Sequence, residues 1–335
     1  MNGLEFQPQG QYLLILQATR PIMHNRPMLV FCGTAHRPLA NAICDYLDIP
    51  LGDASVKRFP DGELDVKVGQ DVRGADTFVV QPTCQPVDEN LMELLLLIDC
   101  LRRASADRVT AVLPYYGYAR KDRKDEGRVP ISAKLVANLI ATAGANRVLA
   151  IDLHASQIQG FFDIPVDHLY GVGVLAQPFI QAKIDDLVLV SPDVGSIKLA
   201  RAFAQRLSAE LAVVDKRRVT PEHTESGFLI GDVNGKNVLI VDDIIATAGS
   251  VCQAAQLLRA RGARSVHVAA THAVLCGAAV QHLGAAPIEQ ITVTDTIPLQ
   301  EPAQSLPIRV VSVASMLGEA MKRIHLNQSV SSLFT

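Results

Sequence analysis

Two adjacent carboxylates, Asp242 and Asp243, end a short apolar run from Val238 to Val241 and are followed by Ala246-Thr247-Ala248-Gly249-Ser250. Ser250 opens an amphipathic segment that closes at Gly262. Arg259 and Arg261 stand in its last turn, where basic side chains suit the negative end of a helix dipole. The order is strand, acidic pair, small-residue turn, helix. A turn of small residues running into a helix presents backbone N–H groups and the positive end of the dipole, which together hold a phosphate. The paired carboxylates cannot hold phosphate; they suit hydroxyls or a bound cation. A ligand with both a phosphate and vicinal hydroxyls, such as a ribose 5-phosphate moiety, satisfies both halves. The plain alternative is a buried strand and turn of an ordinary α/β sheet, for which an acidic pair followed by A-T-A-G-S is unusual turn chemistry.

Other polar clusters are less specific one by one. Phe59-Pro60-Asp61-Gly62-Glu63 sets two acids on either side of a glycine beside an aromatic, and alone it reads as a β-turn. Tyr115 to Arg128 places a run of mixed charges, Arg120 and Lys121 among them, behind three tyrosines; a solvated face and a polyanion site are both open. His154 directly follows RVLAID, as a general base, a metal ligand or a satisfied structural group. Asp193 ends LVLVSPD in the same manner. Magnesium takes few protein ligands and several oxygens from substrate phosphates, so two sparse groups of this kind suit a nucleotide–Mg2+ site. Lys216-Arg217-Arg218 follows LAVVD and precedes a stretch of little periodicity. It is either a basic turn or a cationic flap that closes over phosphates, since phosphoryl transfer is catalysed mainly by positioning and charge neutralisation. The run from Gly231 through Gly235-Lys236 is one residue short of a Walker A loop and precedes its strand, and Gly171-Val172-Gly173 does not clearly follow one. Neither supports a P-loop or a dinucleotide cofactor.

The elements that must position these groups alternate. MLVFCGT, TFVVQPT, RVTAVLPYYG and RVLAIDLHA are apolar strand runs with helical stretches between them, and after about Leu169 the alternation restarts with LVLVSPD, LAVVDKRR, NVLIVDD, SVHVAATHAV, ITVTDTIP and RVVSVAS. This predicts α/β architecture in two domains, each a mostly parallel sheet flanked by helices, with ligands at the carboxyl ends of the strands. A chain of 335 residues suits two cores. A net charge of −3 argues against a general nucleic-acid binder, and the longest apolar candidate, Leu91 to Cys100, is broken by Glu93 and Asp99, which predicts no membrane partner. Six cysteines without a C-x-x-C pair read as reduced thiols of a cytoplasmic protein rather than a zinc site. Residues 1–27 form a Gln-rich extension, read as disordered or as preceding the native start at Met28, and lack the features of a secretory signal.

VLIVDDIIATAGS resembles the phosphoribosyl diphosphate (PRPP) fingerprint shared by type I phosphoribosyltransferases and ribose-phosphate diphosphokinases. FPDGE, the segment from VQPTCQPVDEN to PYYGYARKDR, VPISAKLVANLI, IDLHASQIQGFFDIPVDHL, SPDVG, DKRR, IGDVNGKNVLIVDD and THAVL stand in the order and spacing of the second family, the PRPP synthetases of class I. The resemblance runs from Met28 to the C-terminus. Phosphoribosyltransferases share the fingerprint but leave the Tyr115 block and QIQGFFD without a counterpart.

The resemblance implies two similar domains of the type I phosphoribosyltransferase-like kind. These are an ATP-side domain over 28–168 and a ribose-5-phosphate/PRPP domain over 169–321, with a tail from about 322 to 335 packing back on the first. It implies transfer of the β,γ-diphosphoryl group of MgATP to the 1-hydroxyl of ribose 5-phosphate, giving PRPP and AMP for nucleotide, histidine and tryptophan biosynthesis. By similarity Phe59, Asp61, Gly62 and Glu63 receive adenine from a neighbouring subunit, and Arg120, Lys121 and His154 line the ATP site. His154 and Asp193 serve Mg2+. Lys216 and Arg218 stabilise charge on the transferring group, and Arg218 also meets ribose 5-phosphate. Asp242 and Asp243 hold the ribose hydroxyls, and Ala246, Thr247, Ala248, Gly249 and Ser250 wrap the 5-phosphate. A cytoplasmic homo-oligomer, commonly a hexamer, and activation by inorganic phosphate follow from the same resemblance.

Three departures mark this chain. Lys121 stands where Gln is frequent, Ser196 where SPD-x-GG is usual, and Ala246 where a third acid is usual. Asp125, Glu126 and Gly127 occupy a loop that is often Arg- and Ser-rich, from which weakened ADP inhibition is expected. The alternatives are a phosphoribosyltransferase and a non-catalytic regulatory homologue, the second given weight by Ala246.

Overall fold

Strand runs that are apolar throughout, without alternation, belong in parallel sheets covered on both faces. The computed structural model describes residues 26–215 and 228–333, and places these runs in two sheets. β1 (Met28–Cys32) leads to α1 (Arg37–Leu47), then to β2 (Ala54–Arg58) and β3 (Leu64–Val68), which form a separate antiparallel hairpin. Next come β4 (Asp76–Val80), α2 (Val87–Arg103), β5 (Arg108–Leu113), α3 (Ser132–Ala143), β6 (Arg147–Ile151) and β7 (Val166–Leu169). β1, β4, β5, β6 and β7 lie side by side in that order, all parallel.

The second sheet is built from α4 (Val172–Leu175), α5 (Gln177–Ala182), β8 (Leu187–Ser191), α6 (Ile197–Leu207), β9 (Glu210–Asp215), β10 (Phe228–Ile230), β11 (Asn237–Ile245), α7 (Gly249–Ala260), β12 (Ser265–Ala273), α8 (Ala279–Ala285), β13 (Gln290–Thr294) and β14 (Ile308–Val311). Its order is β10-β9-β8-β11-β12-β13-β14, parallel except for β9 with β10. α9 (Ala314–His325) follows.

Successive strand residues face opposite ways, so each sheet buries two apolar layers. In the first sheet Val30, Phe78, Val112 and Leu149 pack on α1 and α9 through Leu39, Ile43, Leu317 and Met321, while Val79, Ala111 and Val148 pack on α2 and α3 through Leu94, Leu97 and Ile140. In the second, Leu189, Leu239 and Val241 meet Leu175, Phe179 and Phe203, while Val190, Ile240 and Val268 meet Ala254, Leu258 and Leu283. α9 is also tied to the first sheet by polar contacts. The buried Asp76 accepts from Arg108 Nε at 2.7 Å and from His325 Nδ1 at 2.9 Å, and Arg108 Nη2 donates to the Ile324 carbonyl at 2.9 Å. The two sheets meet where Tyr115, beyond β5, sets its ring edge-on to His272 of β12, centroids 5.0 Å apart, beside Cys84 and Ile297.

The strand orders decide where a ligand can enter. In the first sheet the main strands follow one another across the sheet without reversal. In the second the chain goes from β8 to β9 on one side, then returns to lay β11 on the other side of β8. Connections that leave adjacent strands in opposite directions open a crevice at their carboxyl ends. The crevice therefore lies between Asp193, just beyond β8, and the acidic pair on β11.

Candidate active site

β11 runs further than the apolar run alone indicates. Ile244 and Ile245 pair with His272 and Ala273 of β12, so Asp242 and Asp243 sit within the ladder rather than beyond it. Ser191, the last residue of β8, turns its hydroxyl onto the Asp193 carbonyl at 2.6 Å. Asp193 Oδ1 in turn accepts the Ser196 amide at 3.1 Å, which folds the loop before α6. Across the crevice Ser196 Oγ donates to Asp242 Oδ1 at 2.7 Å.

The small-residue turn beyond β11 places Ala248 in the left-handed region, φ +64, immediately before the first residue of α7, Gly249. An alanine there is strained by about 1–2 kcal/mol, and such strain concentrates at ligand-holding turns. A cavity of about 1390 Å³ joins these parts: Ala246, Thr247, Ala248, Gly249 and Ser250 line it together with Asp193, Asp242, Asp243 and His154.

His154 is delivered from the first sheet. The loop beyond β6 is fixed from behind by Asp152, whose backbone also adopts a positive φ, +38. The buried Asp152 carboxylate accepts from Thr271 Oγ1 of β12 at 2.5 Å and from the Gly171 amide at 3.0 Å, and its carbonyl lies 3.1 Å from His272 Nε2. The Leu153 amide donates to His168 Nε2 at 3.0 Å. So held, His154 sets Nδ1 2.7 Å from Asp243 Oδ2, joining the carboxyl ends of the two sheets.

Among the described residues that line the cavity, Asp152, Asp193, Asp242 and Asp243 outnumber Lys198 and Arg206. Burial, then the neighbouring Asp243 charge, pushes Asp242 up to about 7, against the Ser196 hydrogen bond, which favours the ionised form. Burial also acts to raise Asp243, but its bonds to His154 and to Asp242 and the His154 charge bring it below the ordinary range. His154 is raised in return, chiefly by the hydrogen bond that its ring nitrogen donates to Asp243. Burial raises Asp152 to about 6. Among the described residues no three His, Cys, Asp or Glu side chains gather into a metal-sized cage. A cation that brings most of its own ligands fits instead: carboxylates crowd the crevice, and His154 gives one ring nitrogen to a carboxylate, the arrangement that orients the other toward a metal.

The remaining site residues read from the sequence fall elsewhere. Phe59, Asp61, Gly62 and Glu63 form the connection of the β2–β3 hairpin and do not line the cavity; Phe59 is half exposed. Arg120 and Lys121 lie beyond β5, outside the cavity lining, with Lys121 Nζ on Asp125 at 2.7 Å. Asp122 accepts from Gln157 Nε2 at 2.7 Å, joining that loop to the one that carries His154. Lys216 and Arg218 lie outside the described residues, as do residues 1–25. Sequence reasoning did not find Thr271, Gly171 and His168 as supports of the His154 loop, because the groups they hold are far away along the chain. For Ser196 a signal existed, since a serine ahead of an apolar-periodic helix marks an N-cap, but nothing local names Asp242 as its partner.

Comparison with known proteins identifies the family. A family model described as the N-terminal domain of ribose phosphate pyrophosphokinase matches residues 28–144, and one described as the phosphoribosyl synthetase-associated domain matches residues 218–335. The chain is similar to the ribose-phosphate pyrophosphokinase of Rhodopirellula baltica, 54% identical over 312 residues, covering 92% of this chain and 99% of that one. It is similar also to that of Rhizobium meliloti, 52% identical over 309 residues, covering 92% and 100%. The crystal structure of phosphoribosylpyrophosphate synthetase from Mycobacterium smegmatis superposes with a TM-score of 0.86 at 40% identity, covering 90% of this chain and 100% of that one. With both family models and near full-length relatives in agreement, the chain belongs to the ribose-phosphate pyrophosphokinase family.

Proposed function

We propose that the protein forms PRPP: the 1-hydroxyl oxygen of ribose 5-phosphate attacks the β-phosphorus of MgATP, the bond from that phosphorus to the α,β-bridging oxygen breaks, and AMP leaves. The observation that carries the reading is the crevice between β8 and β11, where Asp242 and Asp243, the turn 246–250 and Asp193 share one cavity with His154 from the other sheet. Asp242 and Asp243 take the ribose hydroxyls. The amides of Ala246 to Ser250, at the start of α7, take the 5-phosphate. Asp193 and the second ring nitrogen of His154 serve the magnesium that enters with the nucleotide; its charge offsets that of the phosphate oxygens during transfer. Lys216 and Arg218 stabilise charge on the transferring group.

The division of labour follows the two sheets. Residues 28–168 form the ATP side and 169–321 the ribose-5-phosphate side; the second sheet, which begins at β8, supports the division, while α9 carries residues 314–321 onto the first sheet. The tail packs back on the first sheet, a packing that α9 begins at Ala314. Phe59, Asp61, Gly62 and Glu63 serve the adenine of a neighbouring subunit in a homo-oligomer, a hexamer, with Arg120 and Lys121 lining the nucleotide; the exposed hairpin tip outside the cavity supports this sharing. Inorganic phosphate activates. No helix among the described residues is long and apolar enough to cross a membrane, and the assignment is to the cytoplasm.

The test is purified protein with MgATP, ribose 5-phosphate and inorganic phosphate, followed for AMP. Ribose-dependent AMP above that of a Lys216→Ala control is expected; its absence would sink the reading.

A further inference from the structure

Ser196 occupies the N-cap position of α6, where a serine ordinarily spends its hydroxyl on the amides of the first helical turn. Here no such capping bond is made. The Ser196 carbonyl accepts the Ala200 amide at 3.0 Å and its amide donates to Asp193 Oδ1 at 3.1 Å, while the hydroxyl crosses the crevice to Asp242 Oδ1 at 2.7 Å. The backbone, at φ −87 and ψ 4, needs no glycine. Asp242 Oδ1 also accepts the Asp243 amide at 3.0 Å. Two donors on one oxygen fix the rotation of the carboxylate and leave its second oxygen as the acceptor for a ligand. The same residue thereby holds one acid from each side of the crevice, Asp193 by its backbone and Asp242 by its side chain.

We infer that Ser196 is a positioning residue that fixes the Asp242 carboxylate for the sugar hydroxyls and so sets the affinity for ribose 5-phosphate separately from that for the nucleotide. The inference rests on the proposed reaction and names the residue that tunes its sugar side. A hydroxyl at 196 supplies one donor to a carboxylate whose other oxygen must meet the substrate. Removing it frees the carboxylate to rotate and spreads it over orientations that meet the sugar less well.

The experiment compares Ser196→Ala and Ser196→Thr with the natural protein in the AMP assay, with thermal unfolding as a check on folding. Ser196→Ala is expected to raise KM for ribose 5-phosphate roughly tenfold, the scale of a lost hydrogen bond to a charged group. KM for ATP and the unfolding midpoint should hold, and Ser196→Thr, which keeps the hydroxyl, should return KM to within about threefold. An unchanged KM for ribose 5-phosphate, a parallel rise in both Michaelis constants, or a threonine variant no better than alanine overturns the inference. If the natural protein makes no AMP, the proposed reaction falls. The inference is then decided by calorimetric titration of ribose 5-phosphate, with magnesium and a non-hydrolysable ATP analogue, into the natural and alanine proteins: weaker binding by alanine supports it, and equal binding overturns it.

Discussion

His154 Nδ1 lies 2.7 Å from Asp243 Oδ2, so a group from the first sheet and one from the second form a single unit across the crevice. On the magnesium role proposed for His154, replacing the carboxylate on its other ring nitrogen costs about 10- to 100-fold in activity. Asp243→Asn is therefore expected to lower kcat/KM for AMP formation by that factor. Steady-state kinetics at saturating magnesium would read it, and an unchanged value would remove the pair from the reaction.

The Asp152 clamp predicts a stability effect. Thr271→Val keeps the shape of the side chain but takes one of two donors from a buried carboxylate. The cost is about 1–3 kcal/mol, and urea unfolding of the two proteins side by side measures it.

His168 gives a dependence on pH. Burial lowers its pKa to about 4, so it stays neutral in the fold while its unfolded counterpart titrates near 6.5. The unfolded chain binds the extra proton between these values, so stability falls as pH drops from about 6.5 toward 4, and is fully present above that window. His168→Asn should flatten this fall by on the order of 2–3 kcal/mol. Denaturation midpoints from pH 4 to 8 would show the difference, and parallel curves would contradict it.

Arg108 neutralises a fully buried acid. Arg108→Ala leaves Asp76 with His325 as its remaining side-chain partner, at a cost of about 3–5 kcal/mol. The break falls where α9 joins the sheet, so limited proteolysis should then cut near residues 326–333 before other sites.

Ala246 lines the cavity without a charge. Ala246→Asp is expected to lower KM for ribose 5-phosphate markedly. A rise would mean that a third acid beside Asp242, already pushed up to about 7, repels more than it binds.

Strand runs and their alternation with helices were legible because parallel strands buried on both faces are written as continuous apolar sequence, and β4, buried at every position, is the plainest case. The turn 246–250 was legible for a similar reason: small residues between an acidic strand end and a helix are local chemistry. What joins distant segments was not. Nothing near His154 announces Asp243, and nothing near Asp152 announces Thr271. The β2–β3 hairpin carries FPDGE as its turn, yet its half-buried strands lack the apolar signature that exposed the others.

α9 covers the β1–β4 face of the first sheet together with α1, but it is the last α-helix among the described residues. During synthesis, at about 5–20 residues per second, Val30, Phe78, Val112 and Leu149 must wait with that side covered by α1 alone until the entire second sheet has been made. The first half of the protein is thus completed by its final segment, and a ribosome that stops before Ala314 releases a chain with a partly open apolar face, the kind of surface that chaperones hold and that aggregates without them.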